Sequence, residues 1–244
     1  MKKKVVAVIQ ARMGSTRLPG KVLMPVLGRP MLWHVVRRTG QARLVDQVVV
    51  ATTRGVADQA IVSLCEAEGW AWFRGSEEDL LDRYYQAALS YQAGIVVRIT
   101  ADCPLIDPAV VDQVVAAFLQ AQPLDYASNT LPPRTFPRGL DTEVLSFGAL
   151  ARAWQEDTNP AWREHVTPYI YKNPGKFRLR SVAGAEDYSA LRWTVDREED
   201  LAFVRTVFAH FGTWRFTWQE VLQALADHPE WLAINRHVRQ KTVP

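Results

Sequence analysis

The chain has 244 residues, a length that one α/β domain can fill. Its 48% hydrophobic and 23% charged residues are typical of globular proteins and exclude a disordered, collagen-like or coiled-coil chain. The 29 basic and 26 acidic side chains leave a net charge of +3, which is too small for sequence-independent binding of nucleic acid. We therefore expect a globular protein without a nucleic-acid partner.

The cysteines and the N-terminal residues favour a cytoplasmic location. Cys65 and Cys103 form no CxxC or Cys/His cluster, so neither a disulfide framework nor a zinc site is indicated. Three lysines at positions 2–4 precede an apolar run of only five residues, which predicts a strand rather than a secretion signal. No apolar stretch approaches the roughly 20 residues that cross a bilayer, so we expect no membrane partner.

The first 122 residues alternate between predicted strands and predicted helices. Continuous apolar, β-branched runs predict buried strands at residues 5–9, 47–52, 70–73 and 95–99. Apolar residues at helical spacing predict helices that start at Pro30, span residues 57–68 and 77–92, and follow Asp107 as N-cap. This alternation predicts an α/β fold with a Rossmann-like, mostly parallel sheet and helices on both faces.

Beyond residue 122 the pattern is mixed. It predicts short strands at residues 125–127, 140–145, 177–182 and 191–195, of which the last two could pair, and a helix at residues 161–171. A loop rich in proline and arginine separates the first two strands and suits a substrate-binding flap. Apolar spacing from Arg197 onward predicts a helical C-terminus. The simplest organisation is one domain over residues 1–244 with a small α+β insertion.

The loop after the first strand has the composition of a phosphate-binding loop. Ligands of open α/β sheets bind at the carboxyl ends of strands, where residues 10–21 begin. This loop supplies Arg12, Arg17 and Lys21 together with two hydroxyls, two glycines and backbone N–H groups. It contains neither a Walker A nor a GxGxxG motif. The alternative interpretation is a solvated basic turn.

Two acidic positions are candidates for a cation site. Asp102 follows the fourth predicted strand, and a carboxylate that faces a phosphate loop requires a cation between them, for which magnesium is the expected ion. Asp102 could instead cap a turn before Pro104. Asp196 and Glu199 have the spacing of a helix capping box, which by itself indicates only a helix start.

Taken together, these motifs resemble the cytidylyltransferases that make CMP-activated acid sugars, the CMP-KDO and CMP-acylneuraminate synthetases. The resemblance covers roughly residues 4–210 and is closest to the branch typified by spore coat polysaccharide biosynthesis protein F. It rests on the loop 10–23 and on residues 74–76, 82–83, 100–106, 140–143, 164–167, 194–196 and 200–201. The sequence departs from the pattern at Ala101, where Gly is common, and at Thr100, where the KDO enzymes have Gln. The second departure argues against KDO as the sugar substrate but not against nucleotidyl transfer.

The resemblance implies a nucleotide-diphospho-sugar transferase-like fold and a Mg²⁺-dependent nucleotidyltransferase. The enzyme would activate an acid sugar or a related sugar with CTP, release pyrophosphate and serve surface polysaccharide biosynthesis. Residues 1–122 would bind the nucleotide, and residues 123–244 would bind the sugar, form a homodimer and complete the metal site. Arg12, Lys21 and Asp102 would be catalytic, with magnesium held by Asp102 and Asp196.

The resemblance also implies two sets of ligand-binding residues. The nucleotide-binding set is Gln10, Ala11, Arg12, Gly14, Ser15, Arg17, Lys21, Arg74, Ser76, Arg83 and Thr100. The sugar-binding set is Arg138, Asp141, Glu143, Glu164 and His165, although single residues of this kind are often surface groups with local partners. A glycosyltransferase that uses a finished nucleotide sugar and a non-catalytic nucleotide-binding protein remain alternatives, and pyrophosphate release separates the first from a nucleotidyltransferase.

Overall fold

In the computed structural model, which describes residues 3–240, a seven-stranded sheet forms the centre of the molecule. The strands in chain order are β1 (Val5–Gln10), β2 (Pro25–Val26), β3 (Arg29–Pro30), β4 (Gln47–Thr53), β5 (Ala71–Gly75), β6 (Ile95–Thr100), β7 (Tyr126–Ser128), β8 (Glu143–Ser146) and β9 (Leu179–Ser181). The large sheet has the order β5-β4-β1-β6-β8-β7-β9, and β2 and β3 form a separate hairpin. Strands β5, β4, β1 and β6 are parallel, whereas β8 is antiparallel to β6 and β7. The predicted Rossmann-like, mostly parallel sheet is confirmed.

Helices cover both faces of this sheet. They are α1 (Met31–Thr39), α2 (Gln59–Glu68), α3 (Leu80–Ser90), α4 (Pro108–Gln120), α5 (Phe147–Glu156), α6 (Pro160–Arg163), α7 (Pro168–Tyr171), α8 (Glu198–Phe211), α9 (Trp218–Asp227) and α10 (Leu232–Asn235). Asp107 caps α4 as predicted, since its carboxylate accepts a hydrogen bond from the Ala109 N–H. None of the helices within residues 3–240 is long and apolar enough to span a membrane.

Alternating side chains of β1 enter two different cores. Val5, Ala7 and Ile9 pack on the face covered by α1, α2 and α4, whereas Val6 and Val8 pack on the face covered by α3, α5 and α7. A strand that is buried on both faces needs an apolar residue at every position, which explains its unbroken apolar run. A third core lies under the C-terminal helices α8 and α9.

Buried Arg38 joins the C-terminal segment to the sheet. Its guanidinium donates to the carbonyl of Ile106 at 2.7 Å, of Trp214 at 2.6 Å and of Phe216 at 3.0 Å. The Asp107 carboxylate also accepts a hydrogen bond from the Trp218 N–H. Because Ile106 and Asp107 lie in the connection from β6 to α4, these bonds fix the C-terminal helices beside the carboxyl end of β6.

Two predictions for the second half of the chain are wrong. The helix predicted at residues 161–171 is broken into α6 and α7, because Val166 has φ +70° and Pro168, which lacks an N–H, starts the second helix. Residues 191–195 form no strand, and only a single bridge joins Arg138 to Arg192. Strand β9 pairs with β7 instead. Helix α5 and the β2–β3 hairpin were not predicted, since α5 follows β8 without an intervening loop and each hairpin strand has two residues.

The buried imidazole of His34 predicts a loss of stability in acid. Burial lowers the pKa of His34 to about 4, although a hydrogen bond with the Val26 carbonyl partly opposes this effect. The unfolded chain, with a His pKa of about 6.5, therefore binds a proton at a pH where the folded chain does not. His34 thus contributes stability that is present above pH ~6.5 and falls as the pH drops toward ~4, by on the order of 3 kcal/mol.

Urea unfolding at about pH 7 and pH 4.5 measures this effect in the wild type and in His34→Gln. The variant should lose less stability between the two pH values, because glutamine does not titrate. An equal loss in both proteins would show that other groups cause the acid sensitivity.

Candidate functional site

A cavity of about 380 Å³ opens at the carboxyl ends of β1 and β6. The loop between β1 and α1, the start of α3 and the segments after β6 and before α8 all contribute side chains. The lining residues are Gln10, Ala11, Arg12, Ser15, Thr16, Arg17, Lys21, Val22, Glu77, Glu78, Leu80, Arg83, Thr100, Ala101, Asp102, Glu164, His165 and Asp196. The structure therefore brings together residues that are more than 180 positions apart in the chain.

The loop after β1 is held in a fixed shape by its own backbone. The N–H groups of Ser15 and Gly20 both donate to the Met13 carbonyl at 2.9 Å, and the Asp58 carboxylate accepts from the Met13 N–H at 2.7 Å. Gly20 has φ +70°, a conformation that side chains disfavour. Lys21 follows directly, so this turn determines where the lysine side chain starts.

The ammonium group of Lys21 lies among three oxygen atoms. Its Nζ donates to Asp102 Oδ2 at 2.8 Å, to Asp196 Oδ1 at 3.0 Å and to the Val195 carbonyl at 2.6 Å. The Lys21 side chain is only 9% exposed. Burial lowers the pKa of Lys21, but the two carboxylates outweigh this effect and leave the pKa raised. Likewise, burial raises the pKa of Asp102, but Lys21 more than offsets it and the net shift is downward.

Asp196 owes its position to the turn before α8. The Val195 N–H donates to the Asp102 carbonyl at 2.8 Å, which joins this turn to the end of β6. Asp200, rather than Glu199, accepts hydrogen bonds from the backbone N–H groups of Asp196 and Arg197. The predicted capping box of Asp196 and Glu199 is therefore wrong. The Asp196 carboxylate instead pairs with Arg17 at 2.7 Å and with Lys21 and Arg192.

The two aspartates have the chemistry of a divalent-cation site. Asp102 and Asp196 reach the same point from different segments, as their shared contact with Lys21 shows. Among residues 3–240 no group of three His, Cys, Asp or Glu side chains is arranged to hold a metal ion. Mg²⁺ commonly binds one or two carboxylates and takes its remaining ligands from phosphates and water, so this pair fits it.

Two arginines in the cavity lack an anionic partner. Arg12 is exposed and makes no hydrogen bond or ion pair with residues 3–240. Arg83 is only 3% exposed, donates to the Ser76 carbonyl, and has no hydrogen-bond partner at Nε. Burial lowers the pKa of Arg83 and the positive charge of Arg12 lowers it further, whereas the more distant carboxylates of Asp58 and Glu77 only partly oppose this shift. A buried, unpaired cation at the wall of a cavity is arranged to receive an anion.

Several predicted site residues lie outside this cavity. Arg74 donates to the carbonyls of Thr53 and Gly55, and the Ser76 hydroxyl accepts from the Asp79 N–H, so both fix the segments around α2 and α3. Asp141 pairs with Arg134, Glu143 pairs with Arg98 and Tyr126, and Gly14 and Arg138 are not lining residues.

Three acidic side chains at the site were not predicted from the sequence. Glu77 and Glu78 line the cavity, and Asp58 holds the loop after β1 through the Met13 N–H. Two consecutive acidic residues just before the capped start of α3 could have indicated Glu77 and Glu78. No local pattern indicates Asp58, because its partner is 45 residues away.

Comparison with known proteins identifies relatives across most of the chain. A family model described as cytidylyltransferase matches residues 6–217. Spore coat polysaccharide biosynthesis protein SpsF of Bacillus subtilis is 32% identical over 216 residues, which cover 85% of this chain and 88% of SpsF.

Solved structures show the same relationship. A cytidylyltransferase from Leptospira borgpetersenii serovar Hardjo-bovis superimposes with a TM-score of 0.91 at 33% identity, covering 99% of this chain and all of that one. CMP:2-keto-3-deoxy-manno-octonic acid synthetase complexed with CTP superimposes with a TM-score of 0.67 at 24% identity, covering 85% and 99%. The second comparison shows a common fold.

The unpaired charge of Arg83 predicts a stabilising substitution. Arg83→Met should raise the free energy of unfolding by about 1 kcal/mol, because it removes a buried cation that has no carboxylate partner. Arg98→Met is the matched control, since Arg98 is also largely buried but pairs with Glu143. It should lower the free energy of unfolding by about 3–5 kcal/mol.

Urea unfolding of the ligand-free protein measures both changes. Equal destabilisation by the two substitutions would show that Arg83 is compensated in the free protein.

Proposed function

The chain belongs to the cytidylyltransferase family and is a nucleotidyltransferase, and we propose that it transfers a cytidylyl group from CTP to a sugar, with release of pyrophosphate. The observation that carries this proposal is the convergence of Lys21, Asp102 and Asp196 beside a basic loop in which Arg12 forms no ion pair with residues 3–240. Such a site can neutralise a triphosphate and still place a carboxylate pair at the reacting phosphate.

The cations have separable roles in this proposal. Arg12, Arg17, Lys21 and Arg83 surround the cavity and would bind the phosphate oxygens of CTP. Lys21 and Arg12 would hold the departing pyrophosphate, whose charge increases as the bond to the α-phosphorus breaks. Gln10, Ala11, Ser15 and Thr100 complete the nucleotide-binding wall, and the Gln10 Oε1 atom has no partner among residues 3–240.

We infer that Asp102 and Asp196 hold Mg²⁺ in the working enzyme. When bound, the ion would polarise the phosphate under attack and offset its negative charge. Asp102 is positioned by the end of β6, and Asp196 by Arg192 and the turn before α8. Both carboxylates are therefore attached to rigid elements, which keeps them aligned when substrates enter.

The sugar acceptor would bind beside Glu164 and His165, which line the same cavity from the segment between α6 and α7. An acid sugar suits a site with several arginines, because its carboxylate can pair with one of them. The similarity to a spore coat polysaccharide biosynthesis protein supports a role in surface polysaccharide synthesis. The other predicted sugar-binding residues do not line the cavity, so they would not contact a sugar bound there; these are Arg138, Asp141 and Glu143.

A pyrophosphate-release assay tests the proposed function. CTP with a panel of acid sugars and Mg²⁺ should release pyrophosphate faster than ATP, GTP or UTP, because a polar base-binding site rejects bases that leave its groups unpaired. Equal rates with all four triphosphates would contradict the choice of CTP. Sugar transfer from a finished nucleotide sugar without pyrophosphate release would favour a glycosyltransferase.

Asp102→Asn is the control for this assay. It keeps the shape of the side chain and removes the charge that would hold the metal, so turnover should fall at least about 100-fold while CTP still binds. Near-normal turnover would show that Asp102 has only a structural role.

We also propose that the protein is a homodimer. The resemblance to this family implies a dimer, and Trp214, Trp218 and Trp231 in the C-terminal portion remain partly exposed. Large aromatic side chains are enriched in protein interfaces. Light scattering at micromolar concentration should give about twice the chain mass, and a monomer would contradict the proposal.

A further inference from the structure

The Lys21 ammonium occupies the place that a divalent cation would take between Asp102 and Asp196. An ammonium has three N–H donors, and the two carboxylates and the Val195 carbonyl use all three. A Mg²⁺ ion held by both carboxylates would also lie between Asp102 and Asp196, close to the oxygen atoms that now bind the ammonium. The two cations therefore exclude each other.

The two oxygen atoms of the Asp196 carboxylate contact different cations. Its Oδ2 atom pairs with Arg192 at 2.9 Å, and Arg192 is held in place by Asp200. Its Oδ1 atom pairs with Lys21 at 3.0 Å and with Arg17 at 2.7 Å. Arg192 can stay when a metal binds, because it uses the other oxygen. The Oδ1 atom becomes a metal ligand only after Lys21 moves away.

From this geometry we propose that Lys21 is an internal counter-cation that keeps the free protein from binding a divalent cation tightly and that leaves when a triphosphate arrives. The inference rests on the proposed function, because it takes Asp102 and Asp196 as the metal ligands. A triphosphate offers Lys21 a more concentrated negative charge than one carboxylate pair does. The four-carbon side chain can turn toward it while the turn at Gly20 stays fixed.

This arrangement couples the two ligands. Nucleotide binding removes the competing ammonium and frees the carboxylates, so each ligand strengthens the binding of the other. Arg17 contributes in the same direction, since its contact with Asp196 would also be exchanged for a phosphate. The metal site is thus completed only when the substrate that needs it is present.

Mn²⁺ binding without nucleotide tests this proposal, with free Mn²⁺ measured by electron paramagnetic resonance. Lys21→Met keeps most of the length of the side chain and removes the charge, so it should tighten Mn²⁺ binding at least about tenfold relative to the wild type. Arg12→Met is the matched control, because it removes a cation from the same cavity that touches neither carboxylate. Its effect should stay below about threefold, as expected for a solvent-screened charge.

A second comparison identifies where the additional affinity arises. Adding Asp102→Asn to Lys21→Met should abolish the gain, because the ion then loses a charged ligand. If Lys21→Met does not fold, as judged by circular dichroism, Lys21→Gln provides the same loss of charge. Mn²⁺ binding by either folded variant that is no tighter than that of Arg12→Met would overturn the proposal.

The pyrophosphate assay and the Mn²⁺ titration can fail independently. Pyrophosphate release from CTP by the wild type, without a gain in Mn²⁺ affinity on loss of Lys21, leaves the proposed function intact and rejects the counter-cation. A gain in Mn²⁺ affinity in a protein that releases no pyrophosphate supports the counter-cation and rejects the proposed activity.

Discussion

The contact of one buried ammonium with two carboxylates joins the distant parts of this chain at a single point. Lys21 is 81 residues from Asp102 and 175 residues from Asp196, yet its Nζ is hydrogen-bonded to both. Both carboxylates lie within 3.0 Å of the same nitrogen atom, and they would repel each other if no cation lay between them. The loop after β1, the end of β6 and the turn before α8 are therefore held together by the same charges that would later act on the substrate.

Not every charged side chain of the cavity is paired as Lys21 is. Arg12 and Arg83 form no ion pair in the free protein, although carboxylates also line the cavity. Desolvating Arg83 costs stability, and nothing in the free protein offsets it fully. Proteins accept such a cost at functional sites, where the unpaired group becomes useful once its ligand is bound. Arg98 differs from Arg83 because it is also largely buried but is paired with Glu143.

Much of the parallel sheet and the loop after β1 could be predicted because the signals are local. The unbroken apolar run of β1 reflects burial on two faces, and Asp107 followed by Pro108 is a strong helix start. The errors occurred where tertiary contacts decide the outcome. Residues 191–195 have a strand-like sequence but are held by Asp102 and Arg138 rather than by a neighbouring strand. The role of Asp200 was missed because Asp196 and Glu199 offered the same spacing as a true capping pair.

Helix α10, near the C-terminal end of the described residues, supports the site from outside the cavity. The side-chain amide of Asn235 in α10 donates to the Arg192 carbonyl at 2.9 Å and to Asp200 Oδ1 at 3.1 Å. Arg192 and Asp200 in turn orient Asp196, so α10 supports a carboxylate that it does not touch. Asn235 lies beyond residues 6–217, which the family model matches. Because buried polar networks are stable only when every member has a partner, a chain that lacked α10 would leave Arg192 and Asp200 incompletely bonded and would hold Asp196 less firmly.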